Sequence, residues 1–216
     1  KDYKKVKKAI LNFQPDFIFH LAAQAIVKKS FNNPKHTWET NTLGTVNILE
    51  VARTYGNVEA IVVSSSDKAY GTGDRLPYLE HDKLNGKGTY EASKSCTDLV
   101  ARAYAVNYDL PVVVTRCSNL YGAADMNFTR VIPNNIRKIL NGERPVIWKG
   151  SEGSTREFLY VEDAVDAYVS LVKNIDKTKG NAYNVGSGEK VTIGELLELL
   201  LDSMNSDLTI DYVEKD

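Results

Sequence analysis

Ser66, Asp67 and Lys68 follow the apolar run Ala60–Ser64, and Tyr90 and Lys94 stand further along the chain. A hydroxyl, a carboxyl, an amine, a phenol and a second amine suit proton traffic around a sugar carbon, with phenol and amine as bases and carboxyl as acid. Residues 60–64 read as a buried strand, so positions 66–68 fall at its C-terminal end, where open α/β sheets place their ligands. Tyr90 and Lys94 are four residues apart at the start of a predicted helix and share one face. Each pair has a plainer reading. Asp67 and Lys68 could be a solvated ion pair on a turn, and Tyr90 and Lys94 the wet face of an amphipathic helix. The position of the first pair, between a strand end and the second pair, favours chemistry.

Elements that could hold these groups follow from periodicity. Lys1–Leu11 reads as a helix with lysines outward, stopped by Pro15. Asp16–Ala23 reads as a strand buried on both faces. A helix opens at Asn33-Pro34, an N-cap followed by proline at the first helical position, and closes at Gly56. A polar loop spans Gly71–Gly88, a helix runs from Tyr90 to about Asn107, and the β-branched run Pro111–Arg116 reads as a strand. Strands joined by helices predict a parallel sheet with crossover connections, a Rossmann-like doubly wound α/β fold. After Gly122 the texture changes to a smaller mixed lobe. There a helix is expected at Pro133–Asn141, a strand at Pro145–Trp148, a loop at Gly150–Ser154 and a helix at Val161–Val172. A strand at Asn181–Val185 follows, then a Thr192/Glu195 capping box before Leu196–Leu201. The expected division is therefore 1–122 for the sheet domain and 123–216 for the lobe, with 155–185 partly returning to the sheet.

The 216 residues carry a net charge of -1, with 43% hydrophobic and 25% charged residues, so nothing marks a general binder of nucleic acid or anionic membrane. No apolar run approaches the roughly 20 residues needed to span a bilayer. Cys96 and Cys117 suggest neither a disulfide framework nor a zinc site, and His20, His36 and His81 lack metal-ligand spacing, so no metal is expected. A cytoplasmic location is the expectation. The glycine-rich strand–turn–helix that opens a dinucleotide fold is absent: Gly71-Thr72-Gly73 lacks the third glycine, and Gly186–Lys190 has the wrong spacing for a phosphate loop. Gly186–Lys190 reads instead as an ordinary helix–strand or strand–helix connection. The chain reads as a fragment that binds dinucleotide weakly or not at all.

Tyr90-x-x-x-Lys94, with Ser66 on the preceding strand end, resembles the extended short-chain dehydrogenase/reductase family of NAD-dependent nucleotide-sugar epimerases and dehydratases. Further segments share the resemblance in the same order: His20–Gln24, Asn41–Asn47, Arg116–Gly122, Arg156–Asp163 and Asn184–Gly188. The triplet Ser66-Asp67-Lys68 resembles the CDP-glucose 4,6-dehydratases of that family, while Arg156–Asp163 looks more like epimerases and dTDP-sugar dehydratases. The resemblance implies NAD held by Ala22, Ala23, Ser64, Tyr90, Lys94 and Cys117. It implies a nucleotide sugar held by Asn119, Arg130 and Arg156, although surface charge is the alternative for both arginines.

The implied reaction is oxidation at C4, loss of water across C5 and C6, and reduction at C6. Tyr90 would take the C4 hydroxyl proton, Lys94 would favour the phenolate and hold the nicotinamide ribose, and Ser66 would guide the proton. Asp67 would protonate the departing C6 hydroxyl and Lys68 would take the C5 proton. Lys68 as enolate stabiliser is the alternative. The competing readings for the chain are a 4-epimerase of the UDP-glucose type and a non-catalytic binding or assembly module. The family resemblance further implies a homodimer through the helices at 34–55 and 90–107.

Overall fold

The computed structural model describes residues 1–73 and 76–214. Asp74 and Arg75, inside the expected 71–88 loop, and residues 215 and 216 lie outside the described residues. The chain forms two compact units: Lys1–Ser118 with Val165–Val185, and Asn119–Ala164 with Gly186–Asp216.

The first unit is a four-stranded parallel sheet in the order β1 (Phe17–His20), β2 (Ala60–Ser64), β3 (Val112–Cys117), β7 (Ala182–Val185). Helix α1 (Tyr3–Phe13) precedes β1. Between β1 and β2 come α2 (Val27–Asn32), α3 (Pro34–Trp38) and α4 (Gly44–Tyr55), and α5 (Thr89–Tyr108) links β2 to β3. β-branched residues fill β2 and β3 because both faces are covered. Ile61, Val63, Val112 and Val114 pack with Leu49 and Ala52 of α4 and Ala101 of α5 in one apolar cluster. Register brings Ser64 beside Thr115 and Cys117 beside Val185, so the strands' C-terminal ends, with their polar residues, lie next to one another.

Three differences from the sequence reading have clear causes. The helix at 34–55 is interrupted by a π-turn at Glu39–Leu43, which turns the Asn41 carbonyl to side-chain donors: Thr45 Oγ1 at 2.6 Å and Thr97 Oγ1 at 2.9 Å. β1 is not buried on both faces. Ile18 packs on the core and His20 is buried, while Phe17 and Phe19, on the opposite face, are exposed. Helix α2, inside the stretch 24–33, was not foreseen; it is six residues long, too short for helical periodicity to register.

In the second unit, β4 (Asn119–Tyr121) pairs in parallel with β6 (Thr155–Tyr160), and β6 pairs antiparallel with β8 (Lys190–Thr192). A separate parallel pair joins β5 (Val146–Trp148) to β9 (Asp211–Val213). α6 (Val131–Leu140) and α9 (Ile193–Ser203) belong here, and α7 (Val161–Lys173) carries the chain back to the first unit, where α8 (Ile175–Thr178) precedes β7. The capping box at α9 forms as expected: Thr192 Oγ1 accepts from Glu195 N at 3.2 Å, and Glu195 accepts from Thr192 N at 2.8 Å. Gly186–Glu189 joins two strands, β7 and β8, and not a helix and a strand as its sequence suggested. The Glu157 side chain of β6 comes close at Gly186, where a Cβ would meet its carboxylate, and Gly188 N donates to Glu157 Oε1 at 2.8 Å.

Candidate active site

The first unit brings Ser64, Ser66, Asp67, Lys68 and Lys94 into one bonded neighbourhood. Past β2 the chain makes a single 3₁₀ turn, Asp67–Tyr70, capped by Ser66, whose Oγ accepts from Lys68 N at 3.2 Å. Ser66 Oγ also donates to Asp67 Oδ1 at 3.0 Å, and Lys68 Nζ donates to Asp67 Oδ2 at 3.0 Å. The Asp67 carboxylate thus sits between a hydroxyl and an ammonium, with side chains 27% and 40% exposed for Asp67 and Lys68. The plainer reading of these two residues is met in part, since they do pair with each other, but they are neither fully solvated nor apart from the strand ends.

Helix α5 is stitched onto this turn. Ser65 Oγ donates to Lys94 O at 3.0 Å, Ser95 Oγ donates to Ala69 O at 2.8 Å, and Lys94 Nζ donates to Ser64 O at 2.7 Å. Tyr90 lies one turn before Lys94 on the same face, half-buried. The helix start is fixed by Glu91, whose Oε2 accepts from Gly88 N at 3.0 Å and from Lys87 N at 3.1 Å.

Burial sets the electrostatics. Lys94 is 5% exposed, and desolvation lowers its pKa to about 8, so the ammonium remains the major form at neutral pH. His20, at the end of β1, is lowered to about 4 by burial and then by the Lys94 charge, so it is neutral. Its Nε2 lies 3.0 Å from Thr45 Oγ1; that hydroxyl donates to Asn41 O, so it accepts the His20 proton, which places the proton on Nε2. Burial pushes the Cys117 thiol up, opposed by its contact with Tyr168 Oη at 3.2 Å, and Tyr168 itself is raised to about 12 by burial. Burial therefore favours the neutral thiol of Cys117 at the end of β3.

The loop after β1 presents Ala22, exposed, and Ala23, half-buried. It is anchored by Asn41 of the π-turn, whose Oδ1 accepts from Gln24 N at 2.7 Å and whose Nδ2 donates to Gln24 O at 3.1 Å and Ser93 Oγ at 2.9 Å. Ser93 Oγ donates in turn to Tyr90 O at 2.7 Å, so this buried chain ties the β1 loop to the helix carrying Tyr90 and Lys94. Asn41 and Ser93 went unassigned in the sequence reading.

The remaining site residues belong to the second unit. Asn119 Nδ2 donates to Glu157 O at 3.0 Å and so supports β4 against β6. Arg130 pairs with Asp125 at 3.1 Å and Arg156 donates to its own neighbour, Thr155 O, at 2.7 Å; both guanidinium groups are exposed. Among the described residues no cluster of His, Cys, Asp and Glu could hold a metal ion.

Sequence reasoning also missed a buried ion pair. Arg116 of β3 and Asp98 of α5 are 1% and 0% exposed in their side chains and meet through two bonds, 2.7 Å and 3.1 Å. An arginine inside a β-branched run and an aspartate on the core-facing side of a helix were the available signals, because charges at such positions require partners.

A parallel sheet whose C-terminal ends gather a serine, an acid–amine pair and a Tyr-x-x-x-Lys helix defines a Rossmann-like short-chain dehydrogenase/reductase unit. The family model described as GDP-mannose 4,6 dehydratase matches residues 1–215, and the chain belongs to that family. It is 29% identical to the CDP-glucose 4,6-dehydratase of Salmonella typhimurium over 216 residues, 94% of this chain and 59% of that protein. Among solved structures, the dTDP-glucose 4,6-dehydratase of Streptomyces venezuelae with NAD bound superposes with a TM-score of 0.87 at 30% identity, covering 100% of this chain and 65% of that one. The UDP-glucose 4-epimerase of Thermotoga maritima with UDP-glucose gives 0.90 at 28% identity, covering 100% and 69%. The chain thus spans about three fifths of the length of the curated dehydratase it matches.

Proposed function

We propose that the protein containing this chain is an NAD-dependent nucleotide-sugar 4,6-dehydratase of the CDP-glucose type, acting in the cytoplasm as a homodimer. The observation that carries the reading is the Asp67 carboxylate held between Ser66 Oγ and Lys68 Nζ, on a turn bonded to the helix of Tyr90 and Lys94. Names of relatives support the nucleotide-sugar class and the cofactor.

The chain's residues fit the nicotinamide-ribose end of NAD. Lys94 uses one of its three N–H groups on Ser64 O, which leaves donors for ribose hydroxyls, and Ala22 and Ala23 leave the end of β1 open. Once held there, NAD would supply the hydride acceptor for C4 and the hydride donor for C6. Tyr90 removes the C4 hydroxyl proton, with the Lys94 ammonium favouring the phenolate and Ser66 bonding the C4 oxygen. The ketone at C4 acidifies C5. Lys68 then takes the C5 proton and Asp67 gives one to the departing C6 hydroxyl.

These last roles need Asp67 protonated and Lys68 uncharged, while the structure pairs them. The two arrangements carry the same net charge and differ by one proton moved along the 3.0 Å bond from Lys68 Nζ to Asp67 Oδ2. Substrate that covers the pair and removes water favours the neutral arrangement over the ion pair. Elimination restores the ion pair, because Lys68 gains the C5 proton as Asp67 loses its own.

Incubating the full-length protein with a panel of nucleotide hexoses and reading the alkali-induced absorbance of 4-keto products tests the reading. A 4-keto-6-deoxy product is expected; inversion at C4 alone would replace this reading with the epimerase one. The half-exposed state of the Asp67–Lys68 pair and the similarity to a UDP-glucose 4-epimerase favour that second reading. Dimer formation is supported by Leu99 and Val106, exposed seven residues apart on one stripe of α5, and by exposed Trp38 and Leu43 along 34–55.

A further inference from the structure

We propose that Tyr70, held by the buried Arg116–Asp98 pair, is a positioning residue that fixes the Asp67–Lys68 turn for the elimination step. The inference rests on the dehydratase reading and extends it to residues outside the acid–amine pair and the Tyr90/Lys94 helix face. Arg116 Nη1 donates to Tyr70 Oη at 2.7 Å and to Glu80 O at 2.8 Å, and its guanidinium lies 4.9 Å from the Tyr70 ring centroid. Tyr70 Oη donates onward to Asn184 Oδ1 of β7 at 2.6 Å. The Tyr70 ring also stacks on Tyr78, with centroids 4.6 Å apart, and Tyr78 Oη donates to Gly71 O at 2.8 Å. Asn184 closes the loop by donating to Tyr78 O at 2.9 Å and by donating its N–H to Glu80 Oε1 at 3.0 Å.

One buried cation therefore joins four segments: the turn with Asp67 and Lys68, the helix with Tyr90 and Lys94, the end of β3, and β7. Asp98 is one turn beyond Lys94 on α5, so the clamp is referenced to the catalytic helix itself. In a turn of three residues, positions 67 and 70 lie one above the other, so anchoring Tyr70 sets the rotation of Asp67. Desolvation opposes charge on Arg116, but its bonds to Asp98 and Tyr70 more than offset this. Buried ion pairs are poor sources of net stability, and registry is the use best attested for them.

The test is Tyr70→Phe, which keeps the ring that contacts Arg116 and Tyr78 and deletes only the hydroxyl. In this chain, amide exchange at Ala69 and Gly71, the donors that close the turn, is expected to quicken about tenfold. Amides of β2 should not change. In the full-length protein, single-turnover absorbance of reduced nicotinamide follows C4 oxidation, and release of isotopically labelled oxygen from C6 follows elimination. Elimination should slow about tenfold or more, with C4 oxidation within about twofold and KM unchanged. Asn184→Ala, which removes the other end of the clamp, should give the same split. Equal slowing of both steps, or unchanged exchange at Ala69 and Gly71, would overturn the positioning role. A wild type that yields no keto-deoxy product would instead sink the dehydratase reading, and the role in elimination with it, whatever the exchange shows.

Discussion

Lys94 offers a direct test of how the site is built, because its charge is held where it is least favourable. Burial lowers its pKa from 10.5 to about 8. That difference corresponds to about 3 kcal/mol against the charged form in the folded protein. The folded state sheds the proton near pH 8 while the unfolded chain keeps it to about 10.4, so between these values the unfolded state binds more protons. The Lys94 contribution to stability therefore rises with pH across that window and is at its most unfavourable below pH 8. Lys94→Met keeps the stem and removes the charge, at the loss of one charge-assisted bond to Ser64 O worth roughly 1.5–3 kcal/mol. The variant is expected to be at least as stable as the wild type at pH 7, by about 0–1.5 kcal/mol, and catalytically dead. Urea unfolding at pH 7 and at pH 10 measures the gap, which should shrink or reverse at the higher pH. A variant less stable than the wild type at pH 7 would refute the idea that the site holds a desolvated ammonium at the expense of stability.

Three further outcomes are expected. His20, lowered from 6.5 to about 4, binds its proton more readily when unfolded, so its contribution to stability falls as pH drops from 6.5 to 4, by about 3 kcal/mol. Urea midpoints of the wild type should fall more steeply over that range than those of His20→Gln; parallel curves would contradict the buried neutral imidazole. Asp98→Asn strands the buried Arg116 and should cost about 3–5 kcal/mol by urea unfolding. Arg102→Ala, whose side chain bonds Asp98 at 2.8 Å but is 35% exposed, should cost less than about 1; similar losses would contradict the difference in burial. Leu99→Asp should turn a dimer into a monomer by light scattering at high concentration, and a monomeric wild type would remove the dimer proposal.

The parallel sheet was readable because β2 and β3 are rich in β-branched residues, and α5 because Cys96, Leu99, Val100, Ala103 and Tyr104 recur at helical spacing, although the residues it buries are mostly polar. The short strands β4, β8 and β9, three residues each, left no pattern to read; they exist through pairing with distant partners. Ser66, Asp67 and Lys68 could be singled out because chemistry concentrates at strand ends, and Lys94 by its spacing from Tyr90 on one helix. Their supports, Asn41, Ser93, Tyr70 and Asn184, could not. Each is an ordinary polar residue whose role is a bond to a side chain or backbone group far away in sequence, as with Tyr70 and Asn184. Arg116 and Asp98 were the exception in principle, as charges at core positions, but nothing local tells which charge meets which.

The most direct measurement is the product formed from a nucleotide hexose by the full-length protein, beside its Asp67→Asn and Lys68→Met variants. The wild type is expected to release a 4-keto-6-deoxy sugar, and both variants should still oxidise C4 but lose water at least a hundredfold more slowly. A C4-inverted hexose with its C6 hydroxyl intact, formed equally well by all three proteins, would contradict the proposed work of the acid–amine pair.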